Sequence, residues 1–346
     1  MERRTGSLVR WLAATFVALS AQGEAATTVT TPYLGITYTE RIGENVAGRN
    51  VSMRILEIDL DAPGIGFALT PAGGTRDTVR QSTLGFLNAT DAQFAVNSHF
   101  FLPFPSSDTD ANLVGFAASN GTVISSFEAP IQNYALVTNS PAINIAPDNS
   151  GSVVHADTSF ADGRHVVENV TLGTAFAGSA QIVTNGTVTI PQYQDASHPD
   201  ALLTVNQTYS NANSWYNLFN ARTAIGLTQD NSTLVIFTVD RNTNAARGPL
   251  SDGLSVGQVA QIMIDDYGVW NGLNMDGGGS TTLAMRDPVS GIGGIVNVPN
   301  DTTPGGRLEG SNIAIFAAPV PEPETYALMV IGLGMVVMFR RRSPRS

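Results

Sequence analysis

The sequence predicts an α+β fold: β-rich sheets with a few packed helices, in a single main domain. Three observations carry this. Short apolar or alternating runs recur along the chain, as at 52–60 (SMRILEIDL), 93–97 (QFAVN) and 234–240 (LVIFTVD). The 34 glycines and 18 prolines demand many turns. One segment, 255–268, has clear helical periodicity. With 346 residues, 42% of them hydrophobic, the chain can bury a large core. An all-β arrangement in two domains is the alternative.

Each element has its own signal. Residues 52–60 mix alternating and continuous apolar positions, as a half-buried strand does. Residues 93–97 and 134–138 (YALVT) are short β-like runs. In 181–190 (QIVTNGTVTI), Asn185-Gly186 sits between β-branched flanks, a strong hairpin signal. Residues 223–228 and 234–240 pair around Asp230-Asn231. The stretch 140–180, rich in Asn, Asp, Ser and Gly, reads as a loop-rich insertion. Ser255 caps a helix on which Val256, Val259, Ala260, Met263, Ile264 and Tyr267 recur at helical spacing, and Gly268 stops it. Asp265 and Asp266, at the end the helix dipole disfavours for acids, are expected to face solvent. Residues 311–317 (SNIAIFA) form a last strand.

The two ends read as addresses. Residues 1–26 have a basic start (Arg3, Arg4, Arg10), a short apolar run at 11–21 and small residues at Ala21, Gly23 and Ala25, the pattern of a secretory signal peptide. An N-terminal anchor is the alternative, disfavoured by the short run. At the other end, 320–325 (VPEPET) precedes a 14-residue apolar segment, 326–339, and then Arg340, Arg341 and Arg342. That tripartite pattern over 318–346 resembles the PEP-CTERM sorting signal of Gram-negative bacteria. The resemblance implies exosortase as a partner during sorting, transient membrane anchoring through 326–339, and passage through the inner membrane. The destination is then the cell envelope, the cell surface or the extracellular matrix. A plain tail anchor is the alternative.

Composition removes several function classes. With no cysteine there is no disulfide scaffold, thiol nucleophile or thiolate metal site. All 18 basic residues are Arg, which excludes Schiff-base chemistry on Lys. The net charge is −11, and between the terminal segments 25 acids face 11 arginines. Nucleic acid is therefore not an expected partner. The acidic excess leaves a divalent cation such as calcium as the one open cofactor, without calcium-loop spacing to support it. His155, His165 and His198 lack metal-ligand spacing, and no GxSxG elbow occurs.

Five features could carry chemistry. The sharpest is 274–283 (NMDGGGSTTL). Gly277, Gly278 and Gly279 allow close backbone approach and positive φ, so their amides could form an anion-binding nest. Ser280, Thr281 and Thr282 add hydroxyls, and Asp276 could handle a proton beside that cradle. A glycine-rich turn with Asp276 bonded to its own backbone is the plainer alternative. Arg222, opening the apolar run Arg222-Thr223-Ala224-Ile225-Gly226, could clamp a phosphate; a strand-end ion pair is the alternative. Asn97 and His99, in 95–101 (AVNSHFF), could bind sugar hydroxyls and transfer a proton; a core loop is the alternative. Asp240 ends a strand, as ligands and turn residues both do. Asn297 and Arg307 flank a Pro/Gly-rich loop before the last strand.

Taken in order, these segments resemble the phosphodiester glycosidase family, the domain of the mannose-6-phosphate uncovering enzyme. The resemblance spans about 90–317, with 27–89 read as an N-terminal strand region of the main domain. It implies hydrolysis of a sugar-1-phosphate diester at the glycosidic bond, with a glycan or sugar-phosphate as substrate. It implies catalytic roles for Asp276 and Asp240, beside which His99 is read as a catalytic residue that assists proton transfer. It implies substrate binding by Asn97, Arg222, Thr223, Gly277, Gly278, Gly279, Ser280, Asn297 and Arg307, and no residue is assigned to a metal. Within this reading Asp276 is the principal carboxylate, Asp240 the second, and Arg222 with the glycine amides neutralises the phosphate. The chain departs from the family at Ser98-His99 and in a longer 242–250 segment. A non-catalytic surface or matrix protein that binds exopolysaccharide is the alternative from another class.

Overall fold

The computed structural model describes residues 25–127, 141–157, 165–189 and 217–320. Nearly all of the expected signal and sorting segments, and the expected strand at 134–138, lie outside the described residues. Among the described residues there are two α-helices, and neither is long and apolar enough to cross a membrane.

An eight-stranded antiparallel sheet forms the centre. Its strand order is Ala26–Tyr33, Ile36–Val46, Arg49–Asp59, Thr233–Val239, Arg222–Thr228, Val269–Asn274, Ala180–Thr184 and Thr187–Val188. The period of two sorts its side chains between faces. Val51, Met53 and Ile55 on one strand, and Val235, Phe237 and Val239 on the next, pack under helix α2 (Val256–Tyr267). Leu56, Ile58, Leu234, Ile236, Ile225 and Leu273 contribute to the opposite core.

There the central sheet meets two five-stranded sheets. One runs Gly293–Ile295, Leu283–Arg286, Phe94–Asn97, Asn312–Phe316 and Gly66–Leu69. Phe94, Val96, Ile313 and Ile315 join the shared core, while Ala95, Ala284 and Ala314 receive helix α1 (Thr83–Thr90) on the outer face. The order is therefore helix, sheet, sheet, helix. The segment before residue 90 is part of both sheets: Arg49–Asp59 pairs with Thr233–Val239, and Gly66–Leu69 with Asn312–Phe316.

Local chemistry accounts for the elements. Asn185 (φ 51°) and Gly186 (φ 69°) both take positive φ, which a twisted two-residue hairpin turn requires. Helix α2 has a reciprocal capping box. Gln258 N donates to Ser255 Oγ at 3.3 Å, and Ser255 N donates to Gln258 Oε1 at 3.0 Å. Gly268 closes it in the left-handed region. Asp265 and Asp266 are exposed, and Asp266 pairs with Arg41 at 2.5 Å.

The fold is richer in strands than the sequence reading proposed, and 140–180 is corrected outright. It supplies Pro141–Ile145, Gly151–His155 and Thr174–Ala177 to the second five-stranded sheet. Ile143, Ile145 and Phe176 enter the shared core while Ala142, Ala175 and Ala177 line the other face, and runs of only four or five residues between polar turns give little periodic signal. Helix α1 also went unread. Its eight residues hold a glycine and present only Thr83, Phe86 and Leu87 to the interior.

Phe94 sits at the meeting of the sheets, its ring 6.0 Å from Tyr33 and 6.1 Å from Tyr38. Phe94→Ala should lower the unfolding free energy by about 3–5 kcal/mol. Urea titration of the purified protein measures this, and a loss below about 1 kcal/mol would show a core that collapses freely around the gap.

Candidate active site

Strand Val269–Asn274 delivers Asp276 to the place where two sheets converge. Met275 N donates to Thr223 O at 2.9 Å, in the central sheet. Asp276 N donates to Ser98 O at 3.0 Å, and Asn97 Nδ2 donates to Asp276 O at 2.7 Å. Both of those partners follow or end a strand of the facing sheet. Asn97 is wholly buried, and its Oδ1 accepts from Thr223 Oγ1 at 2.8 Å and Thr282 N at 3.2 Å. Asn97 and Thr223 thus lie beneath Asp276 and hold its backbone.

The glycines then fold the chain back on the carboxyl group. Gly277 N donates to Asp276 Oδ1 at 2.8 Å, and Ser280 Oγ donates to Oδ2 at 2.6 Å. Gly278, at φ 64°, donates its N–H to Ala221 O at 2.8 Å. Gly279 is needed for space: a Cβ there would stand 2.0 Å from Arg307 Nη2. The expected nest is therefore largely spent, since the Gly277 amide serves Asp276 and the Gly278 amide serves a main-chain carbonyl.

Arg307 supplies the cation at this point. Its Nη1 donates to Ser280 Oγ at 3.2 Å and its Nε to Asp301 Oδ2 at 3.0 Å. Its guanidinium lies 4.7 Å over the ring of the exposed Phe104. Asp276 is half-buried. Desolvation pushes its pKa up to about 6, against the pull of Ser280, Arg307 and the Gly277 amide.

A second carboxyl group belongs here. Glu309, two residues beyond Arg307, is 1% exposed, and neither of its oxygens has a hydrogen-bond partner. Burial first, then the charge of Asp276, raises its pKa well above the ordinary range. Nothing in the residue pattern around 309 marks it. Its position in the short strand Leu308–Glu309, paired with Gln81–Ser82, places it.

Asp240 stands differently from the expected second carboxylate. It is wholly buried and its oxygens are occupied: Oδ1 accepts from Asn297 Nδ2 at 2.9 Å, and Oδ2 from Val298 N at 3.1 Å and from Arg54 Nη1. Burial raises its pKa, with Arg54 the leading opposing influence. Asn297 also donates to Thr281 O at 3.1 Å and accepts from Leu283 N at 2.8 Å. Asp240 and Asn297 therefore brace the chain on the C-terminal side of the glycine turn rather than facing a ligand.

Arg222 also departs from expectation. It is fully buried, and its Nε and Nη2 donate to the carbonyls of Leu254 and Leu218, so those donors tie chain to chain. The ring of His99 is buried as well. Nδ1 lies 2.8 Å from Ser311 Oγ and 3.1 Å from Ser98 Oγ, while Nε2 accepts from Ala177 N at 2.9 Å. Burial pushes its pKa down to about 4, so the ring is neutral and committed to packing the sheets together. Among the described residues, no three acidic or histidine side chains converge as a metal site.

The buried Arg54–Asp240 pair yields a direct test. Arg54→Met leaves Asp240 buried without its cation and should cost about 3–5 kcal/mol, most of it recovered by adding Asp240→Asn. Chemical unfolding of the single and double variants measures this. Equal stabilities for the two variants would contradict the brace.

Two family models match the chain. Residues 90–316 match the family model for phosphodiester glycosidase, and residues 319–343 match the PEP-CTERM protein-sorting motif. No curated protein matches the chain in sequence. Three solved structures share the fold. A putative exported protein from Burkholderia pseudomallei has TM-score 0.55 and 14% identity, covering 89% of this chain and 100% of that one. A hypothetical protein from Synechocystis has TM-score 0.53 and 14% identity, covering 85% and 68%. The zebrafish N-acetylglucosamine-1-phosphodiester alpha-N-acetylglucosaminidase catalytic domain, auto-inhibited by its pro-peptide, has TM-score 0.51 and 18% identity, covering 86% and 84%. The sorting motif indicates export, exosortase processing and association with the envelope or surface. A family match over most of the chain, on a fold shared with that catalytic domain, makes this chain a member of the phosphodiester glycosidase family.

Proposed function

We propose that the protein hydrolyses a sugar-1-phosphate diester at its glycosidic bond, acting on glycans of the envelope or the extracellular matrix. One observation carries this reading: the half-buried carboxyl of Asp276, gripped by Gly277 N and Ser280 Oγ, lies beside the guanidinium of Arg307. A sugar phosphodiester needs a carboxylate at the anomeric carbon and a cation at the phosphate. The zebrafish relative acts on a bond of that kind by its name.

Asp276 acts in its ionised form, on the anomeric carbon or on the water that attacks it. Its two hydrogen bonds fix the carboxyl plane before substrate arrives, so little reorganisation accompanies the reaction. Arg307 faces the phosphate, and Asp301 and Phe104 hold its guanidinium. The phosphate leaves as a stabilised anion, which lessens the need for a strong acid. Asn97, Thr223, Asp240 and Asn297 position the two chain segments that carry Asp276 and Ser280, and Arg222 and His99 stiffen the surrounding strands.

Release of free sugar from a panel of sugar-1-phosphate diesters tests the proposal. Asp276→Asn should reduce turnover by about 10³-fold or more while the protein stays folded. Wild-type activity should fall as the pH drops through about 6, where Asp276 takes up a proton. Stability should move the other way. Because folding raises the pKa of Asp276, its contribution is fully present below the unfolded value and is lost as pH rises through about 6. Asp276→Asn should therefore be more stable than wild type at pH 8, by about 3 kcal/mol, and close to wild type at pH 4, as chemical unfolding at the two pH values measures. Tight glycan binding by a folded protein without turnover would instead favour a surface glycan binder.

A further inference from the structure

The mechanism above uses one carboxyl group, yet the site buries two. Glu309 is 1% exposed, and a carboxylate stripped of water without a hydrogen bond is among the costliest groups a fold can hold. Its neighbours are Asp276, Ser280, Arg307 and Asp301, and Arg80 also lies within electrostatic reach. The two arginines have other commitments. Arg307 is engaged with Asp301 and Ser280, and Arg80 donates to the carbonyls of Pro103 and Ser106. Ser280 has a single proton, which points at Asp276 Oδ2 at 2.6 Å. Neither oxygen of Glu309 meets a donor among the described residues.

A carboxyl group buried this way without a partner costs far less as the neutral acid than as the anion. We propose that Glu309 is the second carboxyl group of the active site, the neutral partner of Asp276 in a pair that shares one proton across Ser280. This deepens the glycosidase reading and rests on it for the role of Asp276. As a neutral acid, Glu309 adds no second negative charge beside Asp276 and sits next to the acceptor lone pairs of Ser280. That hydroxyl then keeps its own proton on Asp276. Glu309 is thus a positioning residue. It decides which of two neighbouring acids ionises, as a shared proton does in any close carboxyl pair. Ionisation of Glu309 at high pH would place two carboxylates around one hydroxyl and misalign Asp276.

Infrared titration of the purified protein follows the carbonyl stretch of protonated carboxyl groups and needs no substrate. Among the steps above the ordinary carboxylate range, the one near pH 6 should belong to Asp276 and a higher one to Glu309. Glu309→Gln should remove the upper step and leave the lower one. Asp276→Asn should remove the lower step and move the upper one down, because the repelling charge is gone. The pH–rate profile with a sugar-1-phosphate diester should be bell-shaped in wild type and lose its alkaline limb in Glu309→Gln. An upper step that survives Glu309→Gln, or a lower step that vanishes with it, would overturn the pairing. If no form of the protein hydrolyses any diester, the glycosidase reading fails, and the infrared steps still decide the pair.

Discussion

Asp276 is tied to two sheets through its own main chain. Its N–H reaches Ser98 O, its carbonyl takes the Asn97 amide, and the preceding N–H reaches Thr223 O. Each bond contributes only about 1 kcal/mol on its own. Together they fix the point where strand Val269–Asn274 ends and the glycine turn begins. The direction of the carboxyl group follows from that turn, and the place of Arg307 follows from the absence of a Cβ at Gly279. A movement of either sheet would misdirect the group on which the chemistry rests, which is why the core around Phe94 and the site form one mechanical unit.

Burial of charge is the second constraint. Three of the carboxyl groups near this junction are treated differently. Asp240 is stabilised by Arg54, Asn297 and the Val298 amide, and acts as a strut. Asp276 retains partial exposure and a cation, and is available to a ligand. Glu309 has neither exposure nor a donor. The distribution of donors, rather than the number of acids, separates support from chemistry.

The sequence made the long-period features legible. Helix α2 with its Ser255 cap and Gly268 stop, the Asn185-Gly186 turn, and the paired strands about Asp230-Asn231 follow from local rules, and all lie where those rules put them. The glycine motif was legible as a place of close approach, and Asp276 with Ser280 and Arg307 does come together there. What sequence reasoning could not supply was direction. Asn97, Arg222 and His99 are polar residues beside a site, and pattern alone cannot say that their side chains turn inward to carbonyls, hydroxyls and amides. Glu309 was hidden for the same reason: its strand is two residues long, and only the tertiary fold brings it to Asp276. The strands of 140–180 are too short, and alternate core residues such as Ile143 and Phe176 with alanines, to stand out from their polar turns.

In the proposed reaction, substrate is held and cleaved between Asp276 and Arg307. The most direct measurement is a crystal structure of the Asp276→Asn protein soaked with a sugar-1-phosphate diester. The phosphate should lie within hydrogen-bonding distance of the Arg307 guanidinium, with the anomeric carbon against residue 276. A diester bound elsewhere on the protein, with Arg307 still turned only to Ser280 and Asp301, would contradict it.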